Sequence, residues 1–463
     1  MQDLGIVEII IAFFLFLYLI RPFFKSLRQV NGLVLFPPLA LFCCVALFFV
    51  YGFRPECLPL LLSTLIINIA NFPALSSIAA HLNNSDYMEQ SIVTFLICFI
   101  ISIASVVLAL QYAPLVPDVL LTEKITSINL KNRTNAQNGK RTSDELFVRI
   151  YDPENEEEKS NVIFVIPPVY GSVITIDLLC GALRDHGFRV VTYSKKGFDF
   201  FSIDDNGKRY AASLSNIKRI IKSLDHAWKN KSANIEAVYF EEQRAKDMLF
   251  LFDFIETSIH PENIFIIAYN EGGSALLKNI NSFSETNTSL YQATGGIIAI
   301  EPLFFSSYIT ENAVRTTIYS KDIFDKINAE LKYIADKKKT KKITQIGDVP
   351  EFSVPVLFLM SDNINTQNKN RYGAAIKTIE KNASFANVQT VEGAGPLDYS
   401  DIPPKYPVIS NIFKGSGEKY DYQDPPDHNG HTDRLADLML DFIEKNLEEK
   451  NLEKNIEENQ VNE

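Results

Sequence analysis

The sequence predicts an α/β domain on a mostly parallel sheet with flanking helices, preceded by a four-helix transmembrane segment. Three observations carry this. The first 116 residues hold most of the long apolar stretches and few charges. From about residue 120 to 447, short apolar runs alternate with longer amphipathic ones, the pattern of parallel strands joined by crossover helices. Over all 463 residues, 46% are hydrophobic and 22% charged, which excludes disorder throughout and gives enough apolar mass for a sizeable core.

Charge and cysteine content narrow the function classes. Lys plus Arg is 45 against 56 Asp plus Glu, a formal net charge of −11, so a protein that works mainly by holding nucleic-acid phosphates is excluded. Of five Cys, four (Cys43, Cys44, Cys57, Cys98) lie in or beside apolar runs, which leaves Cys180 alone in the rest of the chain. A disulfide framework or Cys-based zinc site there is excluded.

The apolar runs span residues 4–24, 32–53, 58–80 and 91–111, close to the ~20 residues a helix needs to cross a bilayer core. The first reads as a retained helix, because Met-Gln-Asp precedes it without a basic residue and no small-residue cleavage site follows. The third carries Asn68, Asn71 and Pro73, which need partners inside the bundle at membrane depth; a re-entrant or interfacial segment is the alternative. Arg21, Lys25 and Arg28 cluster in the first connection and place it in the cytoplasm. Four crossings then put the soluble domain outside the cytoplasm; three would put it inside. Glu8 lies near a helix end, within reach of headgroups.

Residues 117–160 read as a linker and first strands, 161–447 as the α/β domain and 448–463 as a disordered charged tail. Core strands are expected at 161–166, 188–193, 263–268, 296–300 and 354–359, with a polar insertion near 202–231. Amphipathic helices are expected at 241–259, where Met248, Phe252 and Ile255 share a face, and at 434–447. A sharp turn at Tyr269-Asn270-Glu271-Gly272-Gly273 separates a strand from a helix, which is the setting of a nucleophile elbow.

In this order and spacing the sequence resembles the α/β-hydrolase family. The matching pieces are the Pro-Pro-Val-Tyr170-Gly171 loop, where such proteins keep an oxyanion loop, and Ala268-x-Asn270-x-Gly272 at the elbow. The strand ending in Met-Ser-Asp362 and the Glu392-Gly-Ala-Gly-Pro396-Leu-Asp398 segment follow. Ester or amide hydrolysis on that fold needs a nucleophile, a histidine base and an orienting carboxylate. The resemblance puts Asn270 at the nucleophile position and Pro396 at the histidine position, and neither performs the required chemistry. Asn does tolerate the positive φ of the turn, so the substitution keeps the backbone while removing the reactive group. The acid position is Asp362, equally readable as a turn or cap residue, with Glu301 as a spare carboxylate. Glu271, beside the oxyanion site, has the wrong charge for stabilising an oxyanion but suits a helix first turn.

Other residues offer an alternative. His428 and His431 lie late enough in the chain to serve as substitute bases, and Ser172 or Ser274 as displaced nucleophiles, whereas His186, His226 and His260 sit in turns or in the insertion. The Asp427 to Asp433 segment matches no tight metal template, and no metal or other cofactor is expected. Lys337 to Lys342 is a basic run without aromatic residues, readable as an exposed linker or a contact with anionic lipid. The reading is a membrane-anchored hydrolase-like protein that binds a small molecule, lipid or protein instead of turning over substrate. The competing reading is an active ester, lipid or peptide hydrolase with a rearranged Ser/His/Asp site. Partners are the lipid bilayer and an unidentified ligand, with no nucleic acid.

Overall fold

The computed structural model describes residues 2–28, 30–51, 57–79, 92–112, 125–132, 144–155, 159–169, 173–206, 208–228, 235–302, 354–361, 386–391, 398–401 and 428–461. Four helices come first: α1 (Gln2–Ile20), α2 (Phe36–Tyr51), α3 (Leu58–Ala79) and α4 (Ile92–Tyr112). Ile11, Leu15 and Leu19 of α1 pack inward with Ala40, Cys44, Leu60, Ile67, Phe95 and Cys98. The polar residues of α3 find partners inside this bundle. Asn71 Nδ2 donates to the Val34 carbonyl at 2.8 Å and Asn68 Nδ2 to the Pro37 carbonyl at 2.8 Å. Val34 is four residues before Pro38, which has no N–H, so Asn71 supplies the donor that the helix start lacks.

Two of these segments, Asn31–Val50 and Leu58–Ser76, are long and apolar enough to cross a membrane; Ile9–Phe23 and Ile92–Val106 are shorter apolar stretches. Length and composition therefore meet the expectation of four crossings in two helices.

The α/β domain is one eight-stranded sheet. Its strands are β1 (Thr126–Asn132), β2 (Asp144–Tyr151), β3 (Asn161–Ile166), β4 (Arg189–Lys195), β7 (Asn263–Tyr269), β8 (Thr294–Ile300), β9 (Val356–Ser361) and β10 (Ala386–Val391), with a separate small hairpin of β5 (Phe201–Ile203) and β6 (Arg209–Ala211). The order is β1-β2-β4-β3-β7-β8-β9-β10. β2 runs antiparallel to both neighbours and every other pair in the main sheet is parallel. With the hairpin left out, this is the α/β-hydrolase arrangement that the motifs imply, and the protein is α/β-hydrolase-like in fold.

The sheet's period of two sorts side chains onto two faces. Val162, Phe164, Ile166, Ile264, Ile266 and Ala268 meet α7 (Ile235–Phe254) and α8 (Glu271–Lys278) on one side. Ile163, Val165, Phe265, Ile267 and Tyr269 meet α5 (Asp177–Asp185) and the closing helix α11 (His428–Val461) on the other. Continuous apolar runs in β3 and β7 follow from this two-sided burial. Between β6 and α7 comes α6 (Leu214–Trp228); between α8 and β8 come α9 (Ile280–Thr286) and α10 (Thr288–Ala293). The insertion expected near 202–231 is thus the β5-β6 hairpin and α6. The closing helix begins earlier and runs further than the sequence pattern indicates, through residues read as a disordered tail. Leu452 in that extension is 63% exposed, so intrinsic helix propensity and charge spacing, not burial, carry it.

Candidate functional site

β7 ends at Tyr269 and α8 begins at Glu271, so the chain reverses within one residue, Asn270. Asn270 has φ 44° and ψ −112° and is buried. This is a strained conformation for a residue with a Cβ, of the kind that persists where the surroundings over-determine it. Its N–H donates to Ile300 O of β8 at 2.9 Å, and its carbonyl accepts from Ser274 N at 3.2 Å. The small residues of the motif are explained by contact. A Cβ on Gly272 would come 2.6 Å from Ile166 Cγ2, and one on Gly273 would come 3.1 Å from Ala268 O. The expected strand–turn–helix is present with Asn270 at its turn, and no side-chain hydrogen bond from Asn270 caps α8.

Glu271 is the next residue, and its N–H is the donor that an oxyanion hole on this fold draws from the residue after the nucleophile. Here the carboxyl folds back within reach of that N–H, and its Oε2 has no hydrogen-bond partner among the described residues. Burial pushes the carboxyl up to about 7; its own backbone N–H and the Arg244 guanidinium pull the other way, while Glu241 and Asp199 add to the rise. The elbow thus holds a buried carboxyl group beside the N–H that hydrolysis on this fold would need as an open donor.

Beneath the elbow lies a buried ionic network that the sequence reading missed. Arg244 Nη2 of α7 donates to Asp199 Oδ1 at 2.6 Å, and Lys195 Nζ at the end of β4 donates to Asp247 Oδ1 at 2.8 Å. Asp199 Oδ2 also accepts the Lys195 N–H at 2.6 Å. Arg244 lies 5.2 Å from the Tyr193 ring centroid and 5.8 Å from that of Phe198. Burial pushes Asp199 up to about 6 against the pull of Arg244, and raises the Tyr193 hydroxyl well above its ordinary value. Burial opposes the charge on Arg244, but Asp199 beside it raises the group above its ordinary value. The sequence signal was the i, i+3 spacing of Arg244 and Asp247 on one helix, which reads by default as a solvated face.

Above the network, Val169, Phe198, Ala212, Ile220 and Phe240 form a small apolar cluster joining the insertion to the end of the loop after β3. Glu301, the spare carboxylate, follows β8 with φ 45° and donates its N–H to Leu359 O at 3.0 Å. Two neighbouring strands thus both end in a left-handed residue that is not glycine.

Residues 398–401 close the same edge from the other face. Tyr269 Oη donates to the Tyr399 carbonyl at 2.8 Å and Tyr399 Oη to the Met360 carbonyl at 2.7 Å. Asp401 accepts from the N–H groups of Leu178 and Leu179 at 2.6 and 3.3 Å, capping the first turn of α5 from a distant segment. His431, in the first turn of α11, donates Nε2–H to the Ser400 carbonyl at 3.1 Å, and His428 is the first residue of that helix. Ser274 is fully buried with its hydroxyl directed to the Asn270 carbonyl at 3.4 Å, an arrangement that offers no exposed nucleophile. Tyr170, Gly171, Ser172, Asp362, Pro396 and the Lys337 to Lys342 run lie outside the described residues. Asp362 is the residue after β9, and Pro396 falls between β10 and residues 398–401 in sequence. Among the described residues no cluster of three His, Cys, Asp or Glu is placed to hold a metal ion.

Residues 2–111 match a family model, TP_0976_N, described as an N-terminal domain. No curated protein matches the chain in sequence. Among solved structures, a ferulic acid esterase from Streptomyces cinnamoneus is 11% identical with a TM-score of 0.43, covering 69% of this chain and 88% of the esterase. Alpha/beta hydrolase domain-containing protein 10 from mouse is 10% identical with a TM-score of 0.34, covering 69% and 99%. Esterase 2 of Thermogutta terrifontis, phosphoramylated by tabun, is 12% identical with a TM-score of 0.33, covering 68% and 94%. The fold assignment rests on strand order and register and not on these likenesses.

Proposed function

We propose that this protein is a membrane-anchored α/β-hydrolase-fold protein that binds a small molecule, lipid or protein and does not turn over esters or amides. The observation that carries the reading is the elbow: its strained backbone is kept at Asn270 while the side chain there lacks a nucleophile, and the following carboxyl takes the place of an open oxyanion donor. Ser274 is committed to the helix backbone, which weighs against a displaced serine. The test is a serine-reactive fluorophosphonate probe on the detergent-solubilised full chain. No labelling is expected. Labelling that disappears with a single Ser→Ala change would overturn the reading in favour of an active hydrolase with a rearranged site.

Membrane anchoring is supported by where apolar surface is left uncovered. Among the described residues, every exposed large apolar side chain except Leu214, Ile221, Leu249 and Leu452 lies within residues 9–103, and all four N-terminal helices contribute. Such a continuous patch is far larger than a monomer leaves in water, and a bilayer covers it. We take all four helices as crossings, with the basic first connection cytoplasmic and the domain outside. A membrane-impermeant thiol reagent should label Gln460→Cys in intact cells. Labelling only after lysis would place the domain in the cytoplasm.

A further inference from the structure

We infer that the solvent face of α6 is a docking surface for an anionic lipid bilayer, so that the domain lies against the membrane by its insertion; this rests on the membrane reading above. α6 spans Leu214–Trp228 and turns Ile217 and Ile220 toward the apolar cluster of Val169, Phe198 and Phe240. Arg219 lies over the Tyr239 ring at 4.4 Å, which fixes the helix on that side. The opposite side carries a different mixture. Leu214 is 87% exposed and Ile221 59% exposed, and Lys218 and Lys222 are exposed beside them. At 3.6 residues per turn, positions 214, 218, 221 and 222 occupy about a third of the circumference.

Two independent facts single this face out. Outside the N-terminal bundle, only four large apolar side chains are exposed among the described residues, and two of them are Leu214 and Ile221. Lys218 and Lys222 are the charged residues beside those two apolar side chains, in a chain whose net charge is −11. Exposed apolar side chains bordered by lysines on a helix match the acyl and headgroup layers of an anionic bilayer surface. The rest of the acidic chain is repelled by such a surface, so the basic segment also sets which side turns toward it. A tethered domain needs little affinity, because the anchor already holds it at high local concentration.

The chain's single tryptophan, Trp228, is the last residue of α6. It is a built-in reporter. The full chain is reconstituted in phosphatidylcholine vesicles with brominated acyl chains, with and without phosphatidylglycerol. Flotation reports anchoring, and Trp228 quenching reports contact of α6. Expected are flotation with both vesicles and quenching about twofold stronger in the anionic ones. In Lys218→Glu/Lys222→Glu, quenching falls to the neutral-vesicle level while flotation and thermal melting stay unchanged. Failure to float with either vesicle overturns the membrane reading and this inference with it. Flotation with equal quenching in both lipids, or quenching unchanged in the double variant, overturns this inference alone and leaves the anchor standing.

Discussion

Replacing Glu271 by Gln isolates the energetic cost of keeping a carboxyl buried at the elbow. In the folded protein this group is pushed up to about 7, chiefly by burial, whereas an unfolded glutamate titrates near ~4.3. Between those values the native state holds a proton that the unfolded state has released. Its contribution is therefore fully present below about pH 4 and is lost as pH rises through about 7. A difference of about 2.7 pH units corresponds to about 3.7 kcal/mol at pH 8.5. Glutamine keeps the shape and the acceptor for the Glu271 N–H but cannot ionise, so the variant escapes the loss. Thermal unfolding of the detergent-solubilised protein should give a variant only about 1 °C higher in Tm at pH 5 and about 5 °C higher at pH 8.5, from the unfolding entropy of a domain of this size. A Tm difference that does not change with pH would refute the burial of an ionisable Glu271. A wild type more stable at pH 8.5 than at pH 5, relative to the variant, would show the carboxylate paired instead.

Asn270→Ser alone should give almost no esterase activity, because a proline stands where the base is expected. Asn270→Ser with Pro396→His should give measurable turnover of a short-chain ester, the two changes being strongly non-additive; high activity in the single variant would point to a base such as His431 or His428. Gly272→Ala should destabilise by about 1–3 kcal/mol through the clash with Ile166, and Ile166→Ala in the same chain should return part of it in a double-mutant cycle. Lys195→Met leaves Asp247 buried without its cation, and chemical denaturation should show a loss of about 3–5 kcal/mol.

The sequence made the strands legible where both faces are buried. The runs in β3, β7 and β8 are too apolar to be anything but central, and their order led directly to the elbow. β10 went unseen because it is an edge strand whose Asn387 and Gln389 stay exposed, so its composition resembles a loop. The positive φ at Asn270 was expected from residue type and is present; that at Glu301 was not, since glutamate gives no such signal. The need of Asn68 and Asn71 for partners was legible, but not that one partner is the carbonyl left open by Pro38. The ionic network at Lys195, Asp199, Arg244 and Asp247 escaped because charge in a sequence reads as solvation. Only the convergence of β4 and α7 shows that these groups are buried together.

The hydrogen bond from Asn71 to Val34 also bears on how the bundle is assembled. Helix α2 begins with a prolines-only step, Pro37 and Pro38, and its opening turn has a carbonyl that nothing in its own helix can cover. The donor comes from α3, which the ribosome makes later. On the membrane-anchored reading proposed above, α2 made without α3 carries an uncovered peptide oxygen into the apolar phase, and α3 alone carries an uncovered carboxamide. The bond covers the Val34 oxygen and the amide side of the carboxamide, whose Oδ1 stays buried without a hydrogen-bond partner among the described residues. On that reading the two helices form a single unit of insertion, and truncation after α2 should leave a segment that partitions less well than its apolar composition implies.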